Sequence, residues 1–537
     1  MLQILRFSLL VAAVGLLLAG PAAASHLQGG DLTYAALGNH RYRVTAHVYR
    51  DCSVIALSGL ILQCRTSGCN APVAVSAPMV QVGGATTGRQ YCATLSGICT
   101  ATGPANSEAY TFTADVTLPP AARWTLSTVQ TARPGTANLV GAGNLYLEAT
   151  LSNLVAGAGT AGVAIANNSP VASALPVSYV PAFRLSTLSN NAFDVDGDSL
   201  AYTLETPLED CGTSAAYAAY PGSPVVVLST TPACVAQLAT SATYSAALPM
   251  YVAFDTAGTC PIKTGTPRFA FDARTGTIQL QPARYVPSAS ALGTGDNKYA
   301  AVVKITEYRR FSGRMLEVGS VRRELYFMVY DGGPNLLPRL AAAVTVQLGT
   351  RVTVQPLGQE IPVVLGEPVA VLLTATDPNP AQVPTFTLNY NAMPGTALQN
   401  LGGGQARVTF TPPLTLLPGL YRVAVTAEDN TCPIKGLETQ LLTFRVMAAP
   451  LAARARTGLA LAAYPNPFTN EVQFRLATPG LQTLTICDNL GRPVATVRSQ
   501  PDGTVRWLPG TTTPAGLYLA RTADGRQTVR LLRTAAH

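Results

Sequence analysis

The sequence predicts an all-β chain made of small β-sandwich modules in series. Three observations predict it. Short runs in which apolar and polar residues alternate recur about every 8 to 15 residues, each bounded by Gly, Pro, Asn or Asp. The 537 residues include 46 Gly and 40 Pro, and beyond the first 24 residues no window carries the stripe of an amphipathic helix. Hydrophobic residues make up 48% and charged residues 12%, which supplies several cores and excludes a disordered polyelectrolyte.

Residues 1–24 read as a signal peptide. Arg6 gives a short positive start, and Phe7 to Leu18 is an apolar run too short to span a bilayer. Ala22-Ala23-Ala24 supplies small residues for cleavage after Ala24. No later stretch has the length and apolarity of a membrane span, so no transmembrane segment is expected in the mature chain.

An N-terminal, cysteine-containing β domain is expected over 25–170. In it, Tyr42, Val44, Ala46 and Val48 share one face of a strand, which puts His47 on the wet face beside Arg41, Arg43 and Thr45. Asn167-Asn168-Ser169-Pro170 opens a crossing into a second sandwich, 171–332, with strand runs at 300–308 and 321–330. Asp331-Gly332-Gly333-Pro334 ends it, because Gly-Gly-Pro neither extends a strand nor starts a helix. A third module, of the immunoglobulin, PKD or cadherin kind, spans 333–449, residues 450–460 form a linker, and a small β domain fills 461–537. Thr259-Cys260-Pro261-Ile262-Lys263 is echoed by Thr431-Cys432-Pro433-Ile434-Lys435.

Chemistry is constrained by what is scarce. The 4 histidines are His26, His40, His47 and His537, so His-dependent nucleophilic catalysis and H-E-x-x-H zinc sites lack material over most of the chain. There is no P-loop and no G-x-S-x-G. The net charge of +8 comes without a dense Lys/Arg run interleaved with aromatics, which argues against a nucleic-acid face. Carboxylate-only chemistry survives these tests.

Export makes the 10 cysteines candidates for disulfides. Cys52, Cys64, Cys69, Cys92 and Cys99 crowd one region. Two short loops suggest a Cys92–Cys99 bridge and a second bridge between two of Cys52, Cys64 and Cys69. With no C-x-x-C pair and no downstream His, a zinc site is not expected.

Asp194, Asp196 and Asp198 alternate with Val195 and Gly197, and Glu205 follows. The offsets mimic an EF-hand loop, but Ser199 stands where Gly is required, and Leu200 to Leu204 alternates as a strand. An EF-hand is therefore rejected. Two readings stay open: oxygen ligands for calcium at a module junction, or an acidic turn capping the strand. No other cofactor is expected. Glu367, Asp377, Asn379, Asp429 and Asn430 suggest a second oxygen cluster in the third module.

The tail carries the most specific motifs. It reads Tyr464-Pro465-Asn466-Pro467-Phe468, then Val472 to Leu476, Asp488-Asn489-Leu490-Gly491-Arg492, and Gly516-Leu517-Tyr518-Leu519. Pro465 and Pro467 favour an extended entry, Asn489 to Gly491 a hairpin turn, and Gly516 a closing strand. This string resembles the type A C-terminal sorting domain of the bacterial type IX secretion system. The resemblance implies the type IX machinery as partner, passage across the outer membrane, removal of the domain, and surface attachment or release.

Upstream, His26-Leu27-Gln28-Gly29-Gly30-Asp31-Leu32-Thr33-Tyr34, Tyr49-Arg50-Asp51-Cys52, Asp194 to Tyr202, Glu307-Tyr308-Arg309 and Arg322-Arg323-Glu324 form a second motif set. It is similar to large extracellular β proteins of gliding bacteria, which carry PKD-like or other immunoglobulin-like modules. The resemblance implies a structural or adhesive surface protein, with a glycan, matrix or cell-surface ligand. The alternative is a secreted carbohydrate-active enzyme or carbohydrate-binding protein using Asp/Glu pairs. Scarce His and only 2 Trp weigh against it.

Overall fold

A computed structural model describes residues 27–51, 57, 59–87, 90, 92, 107–157, 160–172, 177–238, 242–287, 295–388, 393–448, 463–477, 479–523 and 527–535. The expected signal peptide and the 450–460 linker lie outside the described residues. The chain forms two compact units, one up to Ala448 and one from Ala449. Among the described residues every regular element is a strand except the 3-10 turn Gly295–Asn297, and no helix is long and apolar enough to cross a membrane.

The first unit is organised by a 12-stranded sheet. Leu27–Gly38 pairs with Arg41–Asp51, which pairs with Ser107–Thr117. The path continues through Val73–Gln81, Leu60–Thr66, Trp124–Gln130 and Leu145–Leu151 to Arg314–Tyr330. Arg314–Tyr330 then touches Leu27–Gly38 through Gly30↔Glu324, so this part of the sheet closes on itself. Inside lie Leu32, Val44, Ala46, Val48, Leu62, Leu126, Leu147 and Val321, all buried as the alternation predicts.

The closing seam depends on glycine. Gly29 has φ +90°, and a Cβ there would lie 2.3 Å from the Glu324 carbonyl oxygen; one on Gly30 would lie 2.3 Å from that of His47. Only residues without a side chain let three backbones approach this closely.

Arg314–Tyr330 also serves a second core. Its partner Lys298–Phe311 pairs in turn with Ser199–Glu205, while Val177–Pro181 joins in parallel. Leu325, Phe327 and Val329 pack with Tyr202, Tyr299, Val303, Ile305 and Met250. A strand buried on both faces reads as a near-continuous apolar run, as 325–330 does. The large sheet therefore runs across the module boundary expected at residue 170.

The third module is an immunoglobulin-like sandwich. One sheet contains Ala343–Leu348, Val369–Thr376 and Gln405–Phe410; the other contains Glu360–Val364, Leu437–Met447, Gly419–Glu428 and Thr385–Leu388. Val371, Val408, Phe410, Val425 and Phe444 from the two sheets share one core. The Tyr421 hydroxyl donates to the Leu417 carbonyl at 2.7 Å, the corner hydrogen bond that pins a sandwich strand to the loop before it.

The second unit is a smaller sandwich. Ala463–Tyr464, Val472–Arg475 and Thr504–Trp507 face Pro493–Arg498, Thr483–Asp488, Gly516–Thr522 and Thr528–Arg533 across a core of Phe468, Phe474, Ile486, Trp507, Tyr518 and Leu531. Its own corner bond runs from the Tyr518 hydroxyl to the Pro514 carbonyl at 2.6 Å.

Candidate functional site

Sequence places the acidic loop directly before Ser199–Glu205. Gly197, at φ +74°, reverses the chain, and the Asp198 N–H donates to Asp194 Oδ1 at 3.0 Å. Pairing Ser199↔Tyr308 then brings the loop against the far end of Lys298–Phe311, where Glu307 and Arg309 stand. A bulge opposite Glu307 and Tyr308 skips Val318 on the neighbouring strand, and such bulges re-aim side chains.

The three aspartates do not share one role. Asp196 accepts from Arg309 at 2.8 Å and from the Asn168 backbone N–H and Nδ2, each at 2.8 Å. Asp198 accepts from Arg309 Nε and a terminal nitrogen, each at 2.7 Å. The same guanidinium reaches Asn167 Oδ1 at 2.6 Å. Asp194 is 5% exposed, and its Oδ2 has no hydrogen-bond partner.

Glu307 completes the group. It is fully buried, and it accepts from Asn167 Nδ2 at 2.7 Å and from the Tyr34 hydroxyl at 3.2 Å. One carboxylate oxygen from each of Asp194, Asp198 and Glu307 lies within 4.8 Å of the other two. Burial, with the neighbouring aspartates, raises Asp194 to about 7 and Glu307 well above the usual carboxylate range. The loop borders a cleft of about 590 Å³ whose lining includes Asp194, Asp198, Tyr421 and Arg422. It packs at a module junction: Asn191 Nδ2 donates to the Arg422 carbonyl at 2.9 Å, and the Phe193 and Tyr421 rings stand 6.1 Å apart.

Sequence reasoning missed Glu307, Arg309, Asn167 and Tyr34 as site residues. The available signal was their presence in, or beside, the upstream motif set. His47 lies on the face of Arg41, Arg43 and Thr45 as expected, and there it meets a charged partner that the alternation did not show. Its Nδ1 lies 2.9 Å from Asp31 Oδ1, and Arg323 Nε donates to Asp31 Oδ2 at 3.1 Å. Burial opposes the Asp31 charge, yet His47 and Arg323 outweigh it and hold the carboxyl down to about 2. Burial likewise opposes protonation of His47, and Asp31 outweighs it, raising the imidazole.

The second oxygen cluster does not assemble as expected. Glu367 precedes and Asp377 follows the same 8-residue strand, so they occupy opposite ends of it. Asp429 spends its oxygens on Asn335 Nδ2 and on the backbone N–H groups of Thr431 and Gly436. Asn379 Oδ1 accepts from the Leu336 N–H, and Asn430 is exposed.

The cysteines pair over long range. Cys69 bonds Cys211, Cys234 bonds Cys260, and Cys92 bonds Cys432 at a separation of 340 residues. The Cys92–Cys99 bridge is thereby overturned. Cys64 is buried and unbridged, because Leu60, Leu62 and Cys64 all point into the core while Cys69 sits in the turn beyond the strand. Cys52 and Cys99 lie outside the described residues. Both halves of the Thr-Cys-Pro-Ile-Lys echo carry a bridged cysteine. Around Cys92, its N–H donates to the Pro433 carbonyl at 3.1 Å and the Lys435 N–H to the Gln90 carbonyl at 2.9 Å.

In the tail, Asn466 Oδ1 accepts from the Leu532 N–H at 2.7 Å and Asn466 Nδ2 donates to the Arg530 carbonyl at 2.9 Å. Phe468 packs 5.6 Å from Trp507, and Tyr464 is 82% exposed. Gly491, at φ +79°, turns the hairpin in which Arg492 Nε meets Asp488 at 2.7 Å.

No family model and no curated protein matches the chain. Among solved structures, it is similar to the titin domains I67–I69, at 9% identity over 68% of this chain and 98% of that one, TM-score 0.16. Drosophila N-cadherin EC1–3 gives 14% over 53% and 89%, TM-score 0.15. The four N-terminal Ig domains of Dscam1 give 8% over 95% and 100%, TM-score 0.16. Superpositions this loose carry no argument about what the chain binds.

Proposed function

We propose that this is an exported structural or adhesive protein, delivered by the type IX secretion system, that works at the outer cell surface or outside the cell without catalysis. The observation that carries the reading is the Cys92–Cys432 bridge, which ties the N-terminal region to the third module. Disulfides of this kind persist in oxidising compartments, and an extracellular β scaffold gains from them. The tail supports the delivery route: a compact sandwich of its own, in which Asn466, Phe468 and Tyr518 of the sorting motif hold the fold together.

Deleting residues 461–537 tests delivery. The truncated chain should accumulate in the periplasm, and normal surface display would reject the route. Glycan and matrix-protein arrays probed with residues 25–450, beside a hydrolase screen, test the role. Saturable binding without turnover is expected; robust glycan hydrolysis would instead establish the carbohydrate-active reading.

A further inference from the structure

We propose that Asp194, Asp198 and Glu307 form a calcium site at the junction between the second core and the third module. The site goes beyond the adhesive reading and does not depend on it. It differs from the triad of alternating aspartates in sequence: Glu307, more than a hundred residues away, takes the place of Asp196, because an oxygen of Glu307 lies within 4.8 Å of one on Asp194 and one on Asp198, while Asn168 donates twice to Asp196.

Three observations converge. First, the carboxylates are close enough to share one ion, with an oxygen from each within 4.8 Å of the others. Second, Asp194 is only 5% exposed, and its Oδ2 has no donor. A buried carboxylate oxygen with no partner is costly, and a cation supplies what no side chain there does. Third, Arg309, the guanidinium beside the loop, is already committed to Asp196, Asp198 and Asn167, and its side-chain hydrogen bonds do not reach Asp194 or Glu307.

The donor set selects the ion. The three carboxylates offer hard oxygen ligands, Asn167 and Tyr34 stand behind Glu307 as hydrogen-bond donors, and the cluster has no thiolate or imidazole. Calcium tolerates irregular oxygen geometry, whereas magnesium demands near-octahedral coordination and keeps most of its water, which a buried group cannot readily accommodate. The adjoining cleft gives the ion a way in. Bound there, it would fix the Asp194–Asp198 loop, whose neighbours Asn191 and Phe193 contact Arg422 and Tyr421 of the third module.

The test is calorimetric titration of the chelator-treated full chain with calcium and, separately, magnesium, with melting curves alongside. One calcium per chain is expected, at a Kd below about 1 mM, with magnesium weaker and a Tm that rises as calcium is added. Glu307→Gln and Asp194→Asn should each weaken binding at least tenfold. Both changes are isosteric. The side-chain amide introduced by Glu307→Gln can still accept from Asn167 and donate to the Tyr34 oxygen, whose hydroxyl retains the Thr150 carbonyl as its acceptor. If one of the two variants fails to fold, the other carries the same arm. Asp196→Asn should change the affinity less than threefold. No heat and no Tm shift in wild type up to 10 mM calcium, about ten times the upper end of the range for extracellular modules, would overturn the site. So would calcium binding lost in Asp196→Asn but kept in Glu307→Gln.

Discussion

Tyr34 and Glu307 stand 273 residues apart in sequence and meet in the interior, the Tyr34 hydroxyl donating to Glu307 Oε1 at 3.2 Å. Gly319 makes the meeting feasible. A Cβ there would lie 2.1 Å from the Tyr34 oxygen, 2.7 Å from Glu307 Oε1 and 2.9 Å from the Thr150 carbonyl oxygen. Gly319→Ala must therefore displace a buried ring or a strand, and should cost at least about 2 kcal/mol in urea unfolding. Gly59, which has nothing within 4 Å of its would-be Cβ, is the control: Gly59→Ala should stay within about 0.5 kcal/mol of wild type. Equal effects at the two positions would show that the seam is not tightly packed.

The Asp31 pair makes stability depend on pH from both sides. Asp31 is depressed from 3.8 to about 2, so its contribution, about 2 kcal/mol, is present above pH 3.8 and is lost as pH falls through 2. His47 is raised above its ordinary value, so its contribution is complete below about pH 6.5 and is lost as pH rises through the raised value. Unfolding free energy should therefore decline as pH rises from about 6.5 through the raised value, and His47→Gln should flatten that limb. An unchanged slope in the variant would remove His47 from the account. Asp31→Asn takes the carboxylate from a buried ion pair with Arg323 and should cost about 3–5 kcal/mol.

Disulfide mapping without reduction should recover Cys92 linked to Cys432, Cys69 to Cys211 and Cys234 to Cys260. Replacing Cys92 and Cys432 together by Ser should lower stability by about 2–4 kcal/mol, since the bridge closes a very long loop. Cys64 should resist alkylation in the folded chain. Its side chain faces the core, and burial pushes the thiol up to about 12, so little thiolate is present at neutral pH. A linked Cys92–Cys99 peptide would overturn the pairing.

The strands were legible because their signal is local. Tyr42, Val44, Ala46 and Val48 alternate in sequence and alternate in burial. The Gly491 hairpin likewise needs only a few neighbouring residues. What alternation cannot report is which strand closes against which. The seam between Leu27–Gly38 and Arg314–Tyr330 joins residues almost three hundred positions apart, and it brings Arg323 to Asp31, whose pairing with His47 the neighbouring hairpin already sets. For the same reason the acidic loop was visible as Asp194, Asp196 and Asp198, while Glu307 and Arg309 were not, because strand pairing supplies them. The disulfides failed in the same way: short spacing favours local loops, but a strand's inward face removed Cys64, and a contact between modules claimed Cys92. The upstream motifs did hold the clue. Tyr34 meets Glu307, Asp198 meets Arg309 and Asp31 meets Arg323, each pair drawn from separate sequence blocks.

The tail separates what its motif does for folding from what it does for delivery. Asn466 makes two hydrogen bonds to the backbone of the last strand, and the Phe468 N–H adds a third, to the Leu532 carbonyl at 2.9 Å. Asn466→Ala removes the first two at an exposed position where water can replace them, so the isolated sandwich should lose about 0.5–1.5 kcal/mol. Tyr464 is different: at 82% exposure it supports little of the core, and Tyr464→Ala should leave the unfolding midpoint unchanged. If the proposed delivery route holds, an exposed aromatic next to the Pro465–Pro467 entry offers the secretion machinery a surface to read. Under the proposed delivery route, Tyr464→Ala should reduce surface display while the protein stays folded, and Asn466→Ala should reduce it in proportion to lost stability. Cell-surface protease accessibility, measured beside thermal unfolding of the purified tail, distinguishes the two. Full display of Tyr464→Ala would assign Tyr464 no part in delivery and leave the sorting role to the folded sandwich around Phe468, Trp507 and Tyr518.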